Sequence, residues 1–155
     1  MTRKEVAEAV WQGKSLAGAD LSGLDLSGLD MAFMDLTAAN LKGANLRKAL
    51  MFRAYLKGAN LSRANLTGAN LKGAFMDGID LSLTDLTGAN LKGASLEGAD
   101  MTEGDLTGAD ITGANLHGAN LTGALVHLTT ENMEALIRAG IFDPSKIDNG
   151  EEVEG

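Results

Sequence analysis

The chain has 155 residues, a net charge of −8, twenty glycines, one proline and no cysteine. Lack of cysteine excludes disulfides and thiolate metal sites. No apolar run reaches membrane-spanning length, and Met1-Thr2-Arg3-Lys4-Glu5 does not open a leader-like core, so a soluble cytoplasmic protein is expected. The charge is banded: residues 36–76 carry Lys42, Arg47, Lys48, Arg53, Lys57, Arg63 and Lys72 with no acid, whereas residues 77–110 carry eight acids and only Lys92.

Four segments are expected in chain order. Over 1–14, Thr2 and Glu5 have the spacing of a capping box, with Val6, Val10 and Trp11 following and Gly13 ending the helix. Over 15–128 an aliphatic residue recurs at every fifth position, from Leu16, Leu21 and Leu26 to Leu116, Leu121 and Val126. Alanine usually stands two before it, Asp or Asn one before, and Gly two after; the unit repeats 22 times between Leu16 and Leu121. A period of five suits neither a helix nor a plain strand. It suits a polygonal path in which each unit makes one side, the aliphatic and the small residue facing inward and Asp, Asn and Gly turning the corner. Lys14 in the first small-residue slot, and Leu24, Leu29 and Met34 in the next ones, mark an atypical start that fills a wider terminal coil. Over 129–141, Thr129 or Thr130 is positioned to cap a second helix, with Glu131 and Glu134 early, Arg138 late and Gly140 beyond. Residues 142–155, with Pro144 and Glu151-Glu152-Val153-Glu154, read as an acidic disordered tail.

The Ala-Asp/Asn-Leu-x-Gly units resemble the pentapeptide-repeat family. The resemblance implies an all-β solenoid: a right-handed quadrilateral β-helix with four units, hence 20 residues, per coil. Twenty-two units then give about five and a half coils with short N- and C-terminal capping helices, in a rod roughly 25–30 Å long. It also implies, for some members, a dimer through the C-terminal helix; a non-enzymatic protein is expected because the sequence holds no cofactor loop, nucleophile–base constellation or metal spacing.

Under a 20-residue coil the breaks in the pattern fall together. Leu50, Tyr55 and Phe75 replace the usual Asp or Asn, and Phe52 follows an inward Met51. Tyr55 and Phe75 should lie one above the other, and Arg53 should sit over Phe33 as a cation–π pair. With Arg47, Lys48, Lys57, Arg63 and Lys72 these residues form the candidate partner-binding patch, since aromatics and Arg dominate binding hot spots. The alternative is that the rings only pack locally. Asp80 with Asp100, and Asp85 with Asp105, should stack as carboxylate pairs that bind a cation or cap their own corners. Ile79, Thr84 and Gly104 break the alanine ladder, and Thr84 with Gly104 suggests volume compensation. His117 and His127 have no evident metal or nucleophile partner, and no catalytic residue, cofactor or metal is expected.

The leading expectation is a protein–protein scaffold that presents its basic and aromatic patch to an acidic protein surface, nucleic acid being disfavoured by the flanking acids. One alternative rests on Gly13-Lys14-Ser15-Leu16 following the helix, which resembles pentapeptide modules attached to type VI secretion spike-tip adaptors. A second is that family members resembling B-DNA in size and charge inhibit or protect DNA gyrase. A third is a scaffold similar to regulator-binding members found in cyanobacteria.

Overall fold

The structure, a computed structural model, describes residues 1–142; the expected tail lies outside them from residue 143 onward. Helix α1 spans Arg3–Trp11 and helix α2 spans Thr130–Arg138, with the two-residue strands β1 (Asp105–Leu106) and β2 (Leu125–Val126) between them in the chain. Both helices start as their sequences dictate. In α1 the Glu5 N–H donates to Thr2 Oγ1 at 3.3 Å while the Thr2 N–H donates to Glu5 Oε2 at 2.7 Å, closing the capping box. In α2 it is Thr129, not Thr130, that accepts from the Asn132 N–H, at 3.2 Å.

Between the helices each segment runs parallel to the one twenty residues later. Asp20 bridges Asn40, Asn40 bridges Asn60, Asn60 bridges Asp80 and Asp80 bridges Asp100, with the same register in the neighbouring units. Two N–H groups per unit reach forward to the next segment, as Leu41 to the Asn60 carbonyl at 2.7 Å and Gly43 to the Ser62 carbonyl at 2.9 Å; one reaches back, as Asn60 to the Ala39 carbonyl at 3.0 Å. The units therefore stack in four columns, which we name by their first members: 14–18, 19–23, 24–28 and 29–33.

The expected all-β solenoid, a right-handed quadrilateral β-helix, is corrected by this arrangement. The only sheet among the described residues is the two-stranded parallel pair of β1 with β2, open at both edges. Elsewhere segments meet through single-residue bridges separated by turns, and two helices complete the described chain. The reason lies inside the unit. Its last residue takes a positive φ, 65° at Gly43 and 63° at Gly58, and extended backbone cannot run through such a residue. With a turn in every unit, one residue is left for pairing, or two at β1 and β2.

The inward slots form the core. Leu21, Leu26, Met31, Leu36 and Leu41 are inaccessible, as are most of their successors, and alanines such as Ala39, Ala49 and Ala54 fill the narrow positions beside them. Each buried Leu contributes roughly 2 kcal/mol of transfer free energy. The Asp or Asn before each Leu caps the turn behind it: Thr37 N–H donates to Asp35 Oδ1 at 3.1 Å and Lys42 N–H to Asn40 Oδ1 at 3.2 Å. An Asn over an Asp adds a rung, as Asn40 Nδ2 donates to Asp20 Oδ1 at 3.1 Å. The exceptions in the alanine ladder also resolve. Buried Thr84 donates its hydroxyl to the Leu61 carbonyl at 2.9 Å, and Gly104 stands where a Cβ would come 3.1 Å from the Met101 oxygen.

A stack of this kind ends in backbone groups with no next segment, and each helix supplies one side chain to answer them. At the first turn the Arg3 guanidinium donates to the Asp25 and Ser27 carbonyls at 2.6 and 2.9 Å. At the last, Asn132, 3% exposed, accepts from the Ile111 N–H at 3.2 Å and donates to the Ala109 and His127 carbonyls at 3.0 Å each. The Asn132 amide thus does for one column what another repeat unit would do. Asn132→Ala strips these buried groups of partners, and urea unfolding is expected to show a loss of about 2–3 kcal/mol. Thr130→Ala, beside the true cap, should change stability by less than about 0.5 kcal/mol.

Candidate functional site

The patch residues sit on the outward slots of the second to fourth turns. Tyr55 and Phe75 lie directly above one another in the column that starts at residues 14–18. Their rings are parallel within 10°, with centroids 5.0 Å apart, and both are exposed. Phe52, in the preceding column, meets Phe33 from the turn below edge-on, with centroids 5.4 Å apart and planes at 88°. Both geometries are favourable aromatic contacts.

Phe33 thus joins the patch through Phe52 rather than through Arg53. The expected cation–π pair of Arg53 over Phe33 is absent among the described residues. Both occupy the last slot of their units, with φ of 52° and 61°. From that slot Arg53 leans forward, its Cγ lying 3.3 Å from where a Cβ would stand on Gly73, and so away from Phe33. The signal for Phe33–Phe52 was a diagonal offset of nineteen residues rather than twenty.

The ten expected site residues do not form one surface. Leu50, Phe52, Arg53 and Lys72 share the column that starts at residues 29–33, and Tyr55, Lys57 and Phe75 share the next. Arg47 and Lys48 belong to the column that starts at 24–28, and Arg63 to the one that starts at 19–23. The ring-bearing positions also forgo local structure. Where Asp or Asn would accept from the backbone two residues on, Leu50, Tyr55 and Phe75 cannot, and among the described residues the Phe52, Lys57 and Asp77 N–H groups find no side-chain acceptor. Arg53, Lys48 and Arg63 occupy positive-φ positions where Gly is usual, a strain of order 1 kcal/mol each. No patch cation pairs with an acid among the described residues, where the ion pairs are Arg3–Asp25 and Lys4–Glu8 near the N-terminus.

Acids dominate the later turns. Asp80 and Asp85, in adjacent columns, bridge Asp100 and Asp105 as expected. The carboxylates turn to their own corners: Ser82 N–H donates to Asp80 Oδ1 and Thr102 N–H to Asp100 Oδ1, both at 3.0 Å. Hydrogen bonds from the Thr102 hydroxyl and backbone hold Asp100 below the ordinary carboxylate value, and those from Thr112 do the same for Asp110. At Asp85, partial burial pushes upward, but bonds from Thr87 and Thr67 outweigh it and the net shift is down. Among the described residues no cluster of His, Asp and Glu has the form of a metal site.

The repeat and its stacking place the chain among known proteins. The family of Pentapeptide repeats (8 copies) matches residues 15–51, 49–88 and 89–125, and the chain belongs to this family. A pentapeptide repeat protein from the Arabidopsis thaliana thylakoid lumen is 36% identical over 77% of this chain and 78% of its own, with a TM-score of 0.54. The pentapeptide repeat protein Rfr23 from the cyanobacterium Cyanothece 51142 is 26% identical over 80% of this chain and 95% of its own, with a TM-score of 0.60. A trypsin-treated form of QnrB1, a plasmid-mediated fluoroquinolone resistance protein, aligns at 18% identity over 83% and 89% of the two chains, with a TM-score of 0.38. None of the curated proteins compared matches the chain.

The chain is therefore a non-enzymatic pentapeptide-repeat scaffold. The expected cytoplasmic location is corrected by the plant relative, which is a thylakoid-lumen protein. Among the described residues no helix is long and apolar enough to cross a membrane.

The lowered aspartates set the acid response. A carboxylate with a depressed native value adds stability above its unfolded value and loses it as pH falls through the native one. Urea midpoints are expected to be flat above about pH 5 and to fall progressively below it. Asp100→Asn, which keeps a side-chain oxygen toward Thr102, should flatten part of that fall.

Proposed function

We propose that this protein is a rigid scaffold whose central patch, centred on Phe52, Arg53, Tyr55 and Phe75, docks a protein with an acidic surface. The observation that carries the reading is the pair of aromatic contacts held at the surface among cations that have no acidic partner among the described residues. Aromatic rings with Arg supply most of the energy of typical protein interfaces, and unpaired cations favour an acidic counterpart. Leu50 and Lys72 extend the same column, Lys57 flanks the Tyr55 stack, and Arg47, Lys48 and Arg63 widen the positive field around it. The repeat over 15–128 is the display surface in this reading, and the segments 1–14 and 129–141 close its ends. Association of two copies through α2, whose Ile137 is exposed, is compatible with it.

The test is a pull-down comparing wild type with a Phe52→Thr/Arg53→Gly/Tyr55→Asn variant, which restores the residue types the repeat prefers. The variant is expected to fold with equal or higher thermal stability and to lose the captured acidic protein. Identical captures would refute the patch, and a collapse in stability would reassign the rings to local packing.

A second reading, a DNA-mimicking ligand of gyrase, is favoured by the acids stacked at residues 77–110, of which Asp85, Asp100 and Asp110 are held ionised well below neutral pH. It predicts inhibition of supercoiling by the wild-type protein and at least a tenfold weaker effect when Asp85, Asp100 and Asp110 are all changed to Asn.

A further inference from the structure

Asn132 completes only one column of the last turn. In the column ending at 119–123 the row has no partner among the described residues. One turn earlier, Asn120 donates to the Ala99 carbonyl at 2.9 Å and its own carbonyl accepts from Met101 at 2.8 Å, while the Thr122 carbonyl accepts from Glu103 at 2.9 Å. The equivalent groups of the last turn are the Ala119 carbonyl and the Leu121 and Gly123 N–H groups, and among the described residues none has a partner. They form a template of two donors and one acceptor for extended backbone.

The same row forms the wall of a cavity of about 340 Å³ between the last turn and α2. Leu121, Val126, Leu128, Leu136, Ile141 and Phe142 supply its apolar lining. Leu125, Leu128 and Ile141 stand exposed at this end, Leu125 at 62%. Charge adds a third constraint. Residues 97–110 carry Glu97, Asp100, Glu103, Asp105 and Asp110 and no cation. Glu103 lies directly beneath the open row, its Cγ 3.2 Å from where a Cβ would stand on Gly123.

We propose that this edge is a docking site for an extended segment of a partner protein, added parallel to residues 119–123. Its backbone would accept from Leu121 and Gly123 and donate to Ala119. Its alternate side chains would be apolar, filling the cavity, and its ends would carry Lys or Arg toward Asp100 and Glu103. Adding a strand to an exposed edge is a common mode of peptide recognition, with backbone bonds giving affinity and pockets giving sequence preference. The chain's own residues 143–155, with five acids and one Lys, carry the wrong charge for this rim. The site is separate from the central patch and stands whether or not the patch binds.

The probe is fluorescein-labelled Lys-Val-Thr-Val-Thr-Lys, titrated by anisotropy against the full chain at low salt up to about 1 mM protein. A control peptide with both threonines replaced by proline lacks the N–H groups that would meet Ala119. The proposal expects saturable binding, at least tenfold weaker binding of the proline peptide, and at least threefold weaker binding to Glu103→Lys. Ile141→Asp should abolish binding, with Leu128→Asp as a second groove variant and circular dichroism verifying that each is folded. It further expects slowed amide exchange at Leu121 and Gly123 when the peptide is bound. Absence of binding, equal affinity for the proline peptide, or indifference to both groove variants would overturn it. Binding only to a chain ending at Phe142 would overturn it in favour of the chain's own tail as occupant. A dimer in sedimentation velocity that the peptide does not dissociate would overturn it in favour of a second copy.

Discussion

The repeat depends on one constraint: its segments are joined to one another by backbone hydrogen bonds to the turns before and after, about twenty residues away in the chain. Within a helix the chain answers its own hydrogen bonds locally, but here Leu41 must find Asn60 and Asn60 must find Ala39. An insertion of a single residue would shift every inward Leu and every outward Asp beyond it. The period is therefore kept without a slip from Leu16 to Val126. Cooperation between neighbouring turns replaces a single globular core, as in other repeat architectures.

The same constraint makes the ends special. A stack can be extended indefinitely, so it must be stopped, and a free end is a template for unwanted pairing. Arg3 and Asn132 each turn a side chain into a surrogate for missing backbone. Arg3 acts on the column of Asp25 and Ser27 and Asn132 on that of Ala109 and Ile111, so among the described residues other columns are left without such a side chain. Capping is thus selective, and what a cap leaves open is as much a property of the molecule as what it closes.

Between the ends, outward positions are released from the folding problem. Inward slots hold mostly Leu or Met and, beside them, Ala, because the interior has limited width, whereas outward slots need only a residue compatible with a turn. Asp and Asn satisfy that need by capping the turn, and Gly by adopting positive φ. Tyr55 and Phe75 cap no turn, and Arg53 takes a positive φ that strains a side-chain-bearing residue, so all three give up local stability. Family membership shows that the chain is a scaffold without catalytic work to do, so such departures draw attention to recognition.

The sequence by itself determined the period, the inward and outward slots, the capping box at Thr2 and the stacking of Tyr55 over Phe75. These follow from local chemistry repeated at a fixed interval. Tertiary structure decided how much of the repeat is regular strand. The positive-φ residue closing each unit limits extended backbone to one or two residues, so the expected β-helix gave way to turns joined by bridges. It also decided that Phe33 meets Phe52, because side chains in the last slot lean toward the following turn and carry Arg53 away. The role of Asn132 was equally hidden. Nothing in Thr-Glu-Asn-Met distinguishes a surface amide from one buried against Ile111 and Ala109, because that burial exists only once α2 has folded over the last turn.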